Sequence, residues 1–305
     1  MIRYLTHEQI DKRLWDETLS RCYNRLLYGY SWYLDEVCDE WDALVQNDYE
    51  AVMPLPRRKK YGLSYVYHPF FAQQLGIFST NFLSGFTVNK FLQAVPDKFR
   101  VVDTQLNAAC DPEEYHYGHI RSRKNHVLNL SVAYHTLQSG YNENTKRNLN
   151  KARSEGVHTQ QIHHISEAVN FYVQHNGHRS PEVTATDYQR FERVLHELQR
   201  RDALYMLQAT HQKDIVAVGI FGIDAEQRAT YLMGTSSAEG KNKGAMPLLM
   251  DQFIQEHSGK VHILDFEGSD IEGIARFYKG FGAIEQRYYH YYSNRLPFYL
   301  KWFKR

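Results

Sequence analysis

Cysteine is scarce: Cys22, Cys38 and Cys110 are the three in 305 residues, and they lie far apart with no CxxC pair. That spacing excludes a disulfide framework and a structural zinc site, and it fits a reducing compartment. A surplus of either charge is also missing, since 36 Lys and Arg face 35 Asp and Glu for a net charge of +1. No overall field therefore draws the chain to nucleic acid or a membrane surface, and any anionic partner must be met by a local cluster. Long apolar runs are absent too. The longest, Ile215 to Phe221, is far below the roughly 18 residues that span a bilayer, so no membrane insertion is expected. The N-terminal MIRYLTHEQIDKRLWDE is polar and helical in pattern, unlike a secretory signal, and the expected location is the cytoplasm. The 16 histidines, including His163-His164 and His175/His178, show no HExxH or other ligand spacing, so no metal is expected.

What is present is apolar and aromatic. With 43% hydrophobic residues, 23 Tyr and 16 Phe, the chain can bury more than one core, and its length suits two domains. The aromatics gather in strand-like stretches such as Tyr61 to Phe71 and Tyr288 to Phe303, where strand propensity and core volume account for them.

The first half reads as a helix from His7 to about Tyr23, a short helix from Ser31, and a hairpin of Trp41–Val45 and Tyr49–Leu55 about Asn47-Asp48. Pro54 and Pro56 then lead into the basic run Arg57 to Lys60. A strand over Gly62–Tyr67, a loop to Gly76, a Thr87-capped helix to Ala94 and a strand over Phe99–Leu106 follow. Asp111 to Lys124 is the best linker.

The second half opens with a strand over His126–Leu130, a Ser131-capped helix, and a helix from Asn142 to Glu155 ending at Gly156. Helices capped by Ser166 and Thr186 come next. Ala203–Thr210, Ile215–Ile223 and Ala229–Thr235 are strands with tight polar connections, which implies antiparallel neighbours. A loop over Ser236–Lys243 leads into a helix from Ala245 to Glu256, and two final strands bracket Asn294.

The most informative stretch is Val261 to Ala283, VHILDFEGSDIEGIARFYKGFGA. Period-two alternation sets Asp265 and Glu267 on one strand face, near the strand end where open α/β sheets bind ligands. Ser269 or Asp270 caps the helix that follows, from about Ile271 to Gly280, with Tyr278 and Lys279 in its last turn.

From Ala203 onward, three antiparallel strands, a Gly-containing loop, helix, strand, helix and strands form an order that resembles the GNAT-type acyltransferase fold. The first half offers a shorter version of it. Two motifs resemble a narrower group, the FemAB-like proteins: Tyr141-Asn-Glu-Asn-Thr-Lys-Arg-Asn-Leu-Asn-Lys-Ala152 is similar to their T-(K/R)-R-N-(I/L)-x-K-A helix, and Phe277-Tyr-Lys-Gly-Phe-Gly282 to their F-K-x-x-F-G element. The resemblance implies an α+β fold with a mixed sheet, as two GNAT-like domains in tandem. The first covers residues 1–124, with the terminal segment 291–305 returning to it; the second covers 125–290 and carries the active site.

The resemblance also implies an N-acyltransferase that moves an acyl or aminoacyl group from a thioester or ester donor to an amine. Such chemistry needs a base for the ammonium and donors for the oxyanion. Glu267 is the candidate base, with Asp265 beside it; the alternative for either carboxylate is a plain ion pair or helix cap. Tyr278 matches by position the tyrosine that protonates the leaving thiolate in GNAT enzymes, against a packing role. Lys279 matches the lysine that stabilises the charged transition state in the Fem pattern, against a solvated helix end.

The GNAT pattern (Q/R)-x-x-G-x-(G/A) reads here as Glu239-Gly-Lys-Asn-Lys-Gly-Ala-Met246. Lys241, Lys243, Gly244 and Ala245 stand where backbone N–H groups hold the pyrophosphate of coenzyme A, while Met246 replaces a small residue. No tightly bound cofactor is expected, and acyl-coenzyme A is a candidate cosubstrate. Arg147 and Lys151, one turn apart, and Arg58 in the basic run are candidate phosphate-binding groups, against an exposed charged surface. The acceptor is a small-molecule or cell-envelope amine. Two alternatives stay open: an aminoacyl-tRNA-dependent peptidoglycan-precursor transferase, for which aminoacyl-tRNA is the partner, and a non-catalytic binding module on the same fold.

Overall fold

The computed structural model describes residues 1–111, 118–268 and 270–297. The described residues divide into two compact units: the second lies within Lys124–Gln286, and the first takes the described residues before Lys124 together with 287–297.

The first unit is built from β1 (Ile2–Leu5), α1 (Lys12–Arg21), α2 (Ser31–Val37), β2 (Glu40–Gln46), β3 (Ala51–Lys60), β4 (Leu63–Val66), β5 (Phe78–Ser79), α3 (Gly85–Gln93) and β6 (Phe99–Leu106). Its sheet runs β1-β2-β3-β4-β6, antiparallel except for the parallel pair β4/β6. The segment from Tyr289 to Asn294 adds a further antiparallel strand beside β6. Val88, Phe91, Phe99 and Tyr291 belong to one buried cluster.

Several expected boundaries move for local chemical reasons. Asp11 caps α1 by accepting from Leu14 N at 3.0 Å, and Ser84, rather than Thr87, caps α3. The basic run Arg57 to Lys60 lies in a hairpin. It continues β3, with Pro54 and Pro56 lying between the residues that pair with β5 (Ala51, Val52) and those that pair with β4 (from Arg57), where their missing N–H groups cost no ladder bond on that side.

The second unit begins within β7 (His119–Asn129) and continues through α4 (Tyr134–Ser139), α5 (Glu143–Ser154), β8 (His158–Gln161), α6 (Ile165–Asn176), α7 (Ala185–Arg200), β9 (Leu204–His211), β10 (Asp214–Ile223), β11 (Arg228–Ser236), α8 (Ala238–Lys243), α9 (Ala245–His257), β12 (Ile263–Gly268) and α10 (Glu272–Lys279). β13 (Ile284–Asn294) starts in this unit. The sheet order is β7-β12-β11-β10-β9-β8, with β11/β12 parallel and the remaining neighbours antiparallel. The three-strand meander is therefore present as expected.

Other expectations change. Residues 118–124 of the expected linker include the start of β7, and residues 112–117 lie outside the described ones. Thr184, not Thr186, caps α7, in a reciprocal box with Asp187. α4 and α10 have no side-chain cap, so neither Ser131 nor Asp270 performs that role, and Ser269 lies outside the described residues. A single strand, β13, ends at Asn294 where two were expected to flank it; anything from residue 298 lies outside the described residues.

The two FemAB-like motifs, more than a hundred residues apart in sequence, are neighbours in this unit. Asn142 N donates to the Gly280 carbonyl at 3.0 Å, and the rings of Tyr141 and Phe281 meet edge to face at 5.1 Å. A Cβ on Gly280 would lie 2.4 Å from Thr145 Oγ1, so only glycine allows α10 to approach α5 this closely. Tyr141, Leu149, Phe266, Tyr278 and Phe281 lie in the same buried cluster.

Candidate active site

Asp265 and Glu267 do not share a simple strand face. Asp265 is 1% exposed, and its carboxylate accepts from Asn125 Nδ2 at 3.0 Å, from Glu267 N at 2.9 Å and from Arg228 Nη2 at 2.5 Å. Those bonds engage both of its oxygens, so Asp265 organises the strand end. Against β7 the register slips between Asp265 and Gly268, three steps on β12 facing two on β7. Glu267 lies within this bulge at φ 62°, a left-handed conformation that bulky residues rarely adopt. Period-two alternation holds only along a regular strand, and the hydrogen bond from Glu267 N to the side chain of Asp265 interrupts it here.

The turn brings the Glu267 carboxylate into the electrostatic reach of three tyrosines. Burial raises the pKa of Tyr278, and the negative charge of Glu267 raises it further, followed by that of Asp265. Tyr231 is pushed well above the ordinary phenol range, chiefly by burial, with Glu267 contributing. Tyr172 on α6 is raised by burial and by Glu267, while its hydroxyl accepts from Asn176 Nδ2 at 2.7 Å. All three phenols thus stay protonated at neutral pH and remain hydrogen-bond donors. Tyr278 is held by stacking on Phe266, ring centroids 4.7 Å apart, with the His126 ring 5.9 Å away. Tyr231 immediately precedes a bulge in β11, where Ile220 faces Met233 but Phe221 faces Tyr231, leaving Leu232 as the extra residue. Its hydroxyl meets Met246 Sδ at 3.4 Å, so the methionine that departs from the GNAT pattern has a partner.

Sequence reasoning missed Tyr172, Tyr231 and His126. The first two read as ordinary members of a helix and a strand, since a bulge leaves no mark in hydrophobic periodicity. His126 is fully buried, and among the described residues neither of its ring nitrogens has a hydrogen-bond partner. Burial lowers its pKa, and the positive charges of Lys279 and Lys124 add to the effect.

Lys279 is half-exposed and donates to Glu285 Oε2 at 3.2 Å, with Lys124 3.8 Å from the same carboxylate. It follows Tyr278 on α10, and a role in stabilising reaction charge would require exchange of the Glu285 contact.

The expected coenzyme A loop is not a loop. Ser237 caps α8 by accepting from Gly240 N at 3.0 Å, Lys241 N donates to Ser237 O at 3.0 Å, and Gly244 N donates to Lys241 O at 3.3 Å. The N–H groups of Gly240, Lys241 and Gly244 are thereby used within α8 and its C-terminal turn, and Pro247 removes another from the first turn of α9. Gly244, at φ 70°, joins the two helices; a Cβ there would lie 2.7 Å from the Asn148 carbonyl oxygen, so α5 covers the joint. Gly244 and Ala245 are buried, Lys243 donates to Glu155 Oε2 at 2.8 Å, and Lys241 is exposed.

The remaining candidate cations divide into paired and exposed ones. Arg58 pairs with Asp39 and stacks over the Tyr67 ring 4.1 Å from its centroid, while Arg57 meets Glu40 and Asp42, so half of the basic run is neutralised within its own unit. Arg147 and Lys151 are exposed on α5, Arg147 donating to Asn144 Oδ1 at 2.7 Å. Among the described residues, no helix is long and apolar enough to cross a membrane.

No family model matches the chain, and no curated protein matches it. Solved structures are similar over nearly the whole length. The crystal structure of FemX superposes with a TM-score of 0.63 at 12% identity, covering 94% of this chain and 96% of that one. A tandem GNAT protein from the clavulanic acid biosynthesis pathway, solved without AcCoA, gives 0.57 at 12% identity, with 97% and 99% covered. L-PGS from Bacillus licheniformis gives 0.56 at 14% identity, with 95% and 94% covered. The chain thus has the tandem GNAT-like fold, a mixed α/β architecture, as the resemblance implied. At these identities the likeness is one of fold, and chemistry must be argued from the site.

Proposed function

We propose that the second unit transfers an acyl or aminoacyl group from an ester or thioester donor to an amine. The observation that carries this reading is Glu267, turned off its strand at φ 62° and electrostatically coupled to the protonated phenols of Tyr172, Tyr231 and Tyr278. Glu267 takes a proton from the acceptor's ammonium group. The freed amine lone pair attacks the acyl carbon, and a C–N bond forms. The oxyanion is met by tyrosine hydroxyls, which keep their protons beside a carboxylate and donate hydrogen bonds without ionising. As the intermediate collapses, the C–O or C–S bond breaks, the proton held by Glu267 passes to the leaving group directly or through Tyr278, and the nitrogen gives its second proton to the freed carboxylate and thence to water, leaving the neutral amide.

The closed helical joint at Gly244 favours an ester donor, such as an aminoacyl-tRNA, over a coenzyme A thioester gripped at the start of α9. Kinship of fold spans FemX, L-PGS and the tandem GNAT protein alike and so favours neither donor, and the acceptor in this reading is a small-molecule or cell-envelope amine.

The test is to offer the full chain total aminoacyl-tRNA and, separately, acetyl-, succinyl- and longer acyl-coenzyme A, scoring transfer to a panel of amines. Thermal shift runs alongside, because a ligand at 100 times its Kd stabilises by about 2.7 kcal/mol. Transfer that disappears in Glu267→Gln supports the reading. No transfer from any donor, together with no stabilisation, would leave a non-catalytic module as the better description.

A further inference from the structure

α5 carries four basic side chains and one acidic one, and the candidates read from the sequence, Arg147 and Lys151, lie on one exposed face of it. A different face is organised. Lys146, Asn150 and Arg153, at i, i+4 and i+7, line a groove of about 380 Å³ together with residues of α4, its apolar wall supplied by Leu149 and Tyr141. That volume lies within the range of small-molecule sites.

The groove is built from below. Asp251 on α9 is 1% exposed; its Oδ2 accepts from Arg153 Nη2 at 2.9 Å, and its Oδ1 accepts from Tyr134 Oη at 2.8 Å. Tyr134 Oη in turn accepts from Gln138 Nε2 at 2.9 Å. The chain Gln138, Tyr134, Asp251, Arg153 thus runs beneath the groove, and both of its ends, Gln138 and Arg153, line it. An arginine has five N–H donors, and the contact with Asp251 engages one terminal nitrogen, leaving the guanidinium positioned by a buried carboxylate while donors remain. Lys146, on the same lining, has among the described residues only the solvated Glu143 carboxylate, at 3.1 Å, as its partner.

We propose that this groove between α4 and α5 is a binding site for a small oxyanion-bearing molecule, its phosphate or carboxylate held by Lys146 and Arg153 and its apolar part by Leu149 and Tyr141. The charged and titratable groups that face such a ligand are Lys146, Arg153, His135, the buried Asp251 and the outlying Glu143. The groove has no lining residue in common with Glu267, Tyr172, Tyr231 and Tyr278, and the proposal does not depend on the reaction assigned to them.

Backbone amide NMR of the full chain, titrated in chloride buffer with inorganic phosphate, glycerol phosphate and malonate, tests the proposal. Saturable shifts are expected at Ser139, Leu149 and Arg153, weakened at least tenfold in Asn150→Asp, which sets a carboxylate in the groove without touching the Asp251 network. Saturation by the two phosphates alone identifies a phosphate ligand, and saturation by malonate alone a carboxylate; either supports the site. Shifts that rise linearly, that centre on Arg147 and Lys151, or that persist unchanged in Asn150→Asp would overturn it. A matching Arg147→Ala variant should titrate like the parent.

Discussion

The backbone N–H of Glu267 donates a 2.9 Å hydrogen bond to Oδ1 of Asp265, two residues earlier on the same strand. That bond belongs to the bulge that gives Glu267 its left-handed backbone, so the two carboxylates divide the work: one shapes the strand end and the other meets the tyrosines. Asp265→Ala should therefore cost more stability than a surface carboxylate. Arg228 would lose its buried partner, a loss of roughly 3 kcal/mol by urea denaturation. Activity should fall with it, because Glu267 loses its tether. A stability change under about 0.5 kcal/mol, the range of ordinary surface substitutions, would contradict this assignment.

Tyr278→Phe should keep the stack on Phe266 and change melting little, while lowering kcat by about 10- to 100-fold with KM nearly unchanged, as expected for a donor used mainly in the transition state. In the parent protein, ultraviolet titration should find Tyr278 still protonated well above the ordinary phenol value of about 10. An unchanged kcat would assign the residue to packing alone.

Gly280→Ala drives a methyl group into Thr145 Oγ1 and should destabilise by about 1–3 kcal/mol. Thr145→Ala in the same chain should recover part of that loss, giving a coupling energy in a double-mutant cycle. Strict additivity would mean that the two motifs do not bear on one another in solution.

His68 Nδ1 accepts from Gln105 N at 3.2 Å, which leaves Nε2–H to donate to the Ala72 carbonyl. Burial depresses its pKa to about 4 from 6.5. The unfolded chain binds the proton first, so stability contributed by neutral His68 is complete above about pH 6.5 and is lost as pH falls towards 4, by roughly 2–3 kcal/mol. The imidazole resonances should show the Nε2–H tautomer and no titration between pH 5 and 8; a midpoint near 6.5 would contradict the account.

The meander and β12 running into α10 were legible because alternation and turn residues state them directly. The pairing of the two FemAB-like motifs was not, since nothing local links Asn142 to Gly280. The Ser237 cap was the missed clue to α8: a serine three residues before a backbone N–H can start a helix, and the glycines drew attention to an open loop instead. The Glu267 cluster was half legible. Glu267 and Tyr278 came from pattern and resemblance, whereas Tyr172 and Tyr231 depended on bulges and helix packing that arise only in the folded chain.

The most direct measurement of the central claim is the initial rate of acyl or aminoacyl transfer by the parent chain and by Glu267→Gln, at equal folded concentration and matched melting temperature. Loss of a positioned base predicts a rate about 10²- to 10⁴-fold lower in the variant with the fold intact. Rates within twofold of one another would show that Glu267 is not the base.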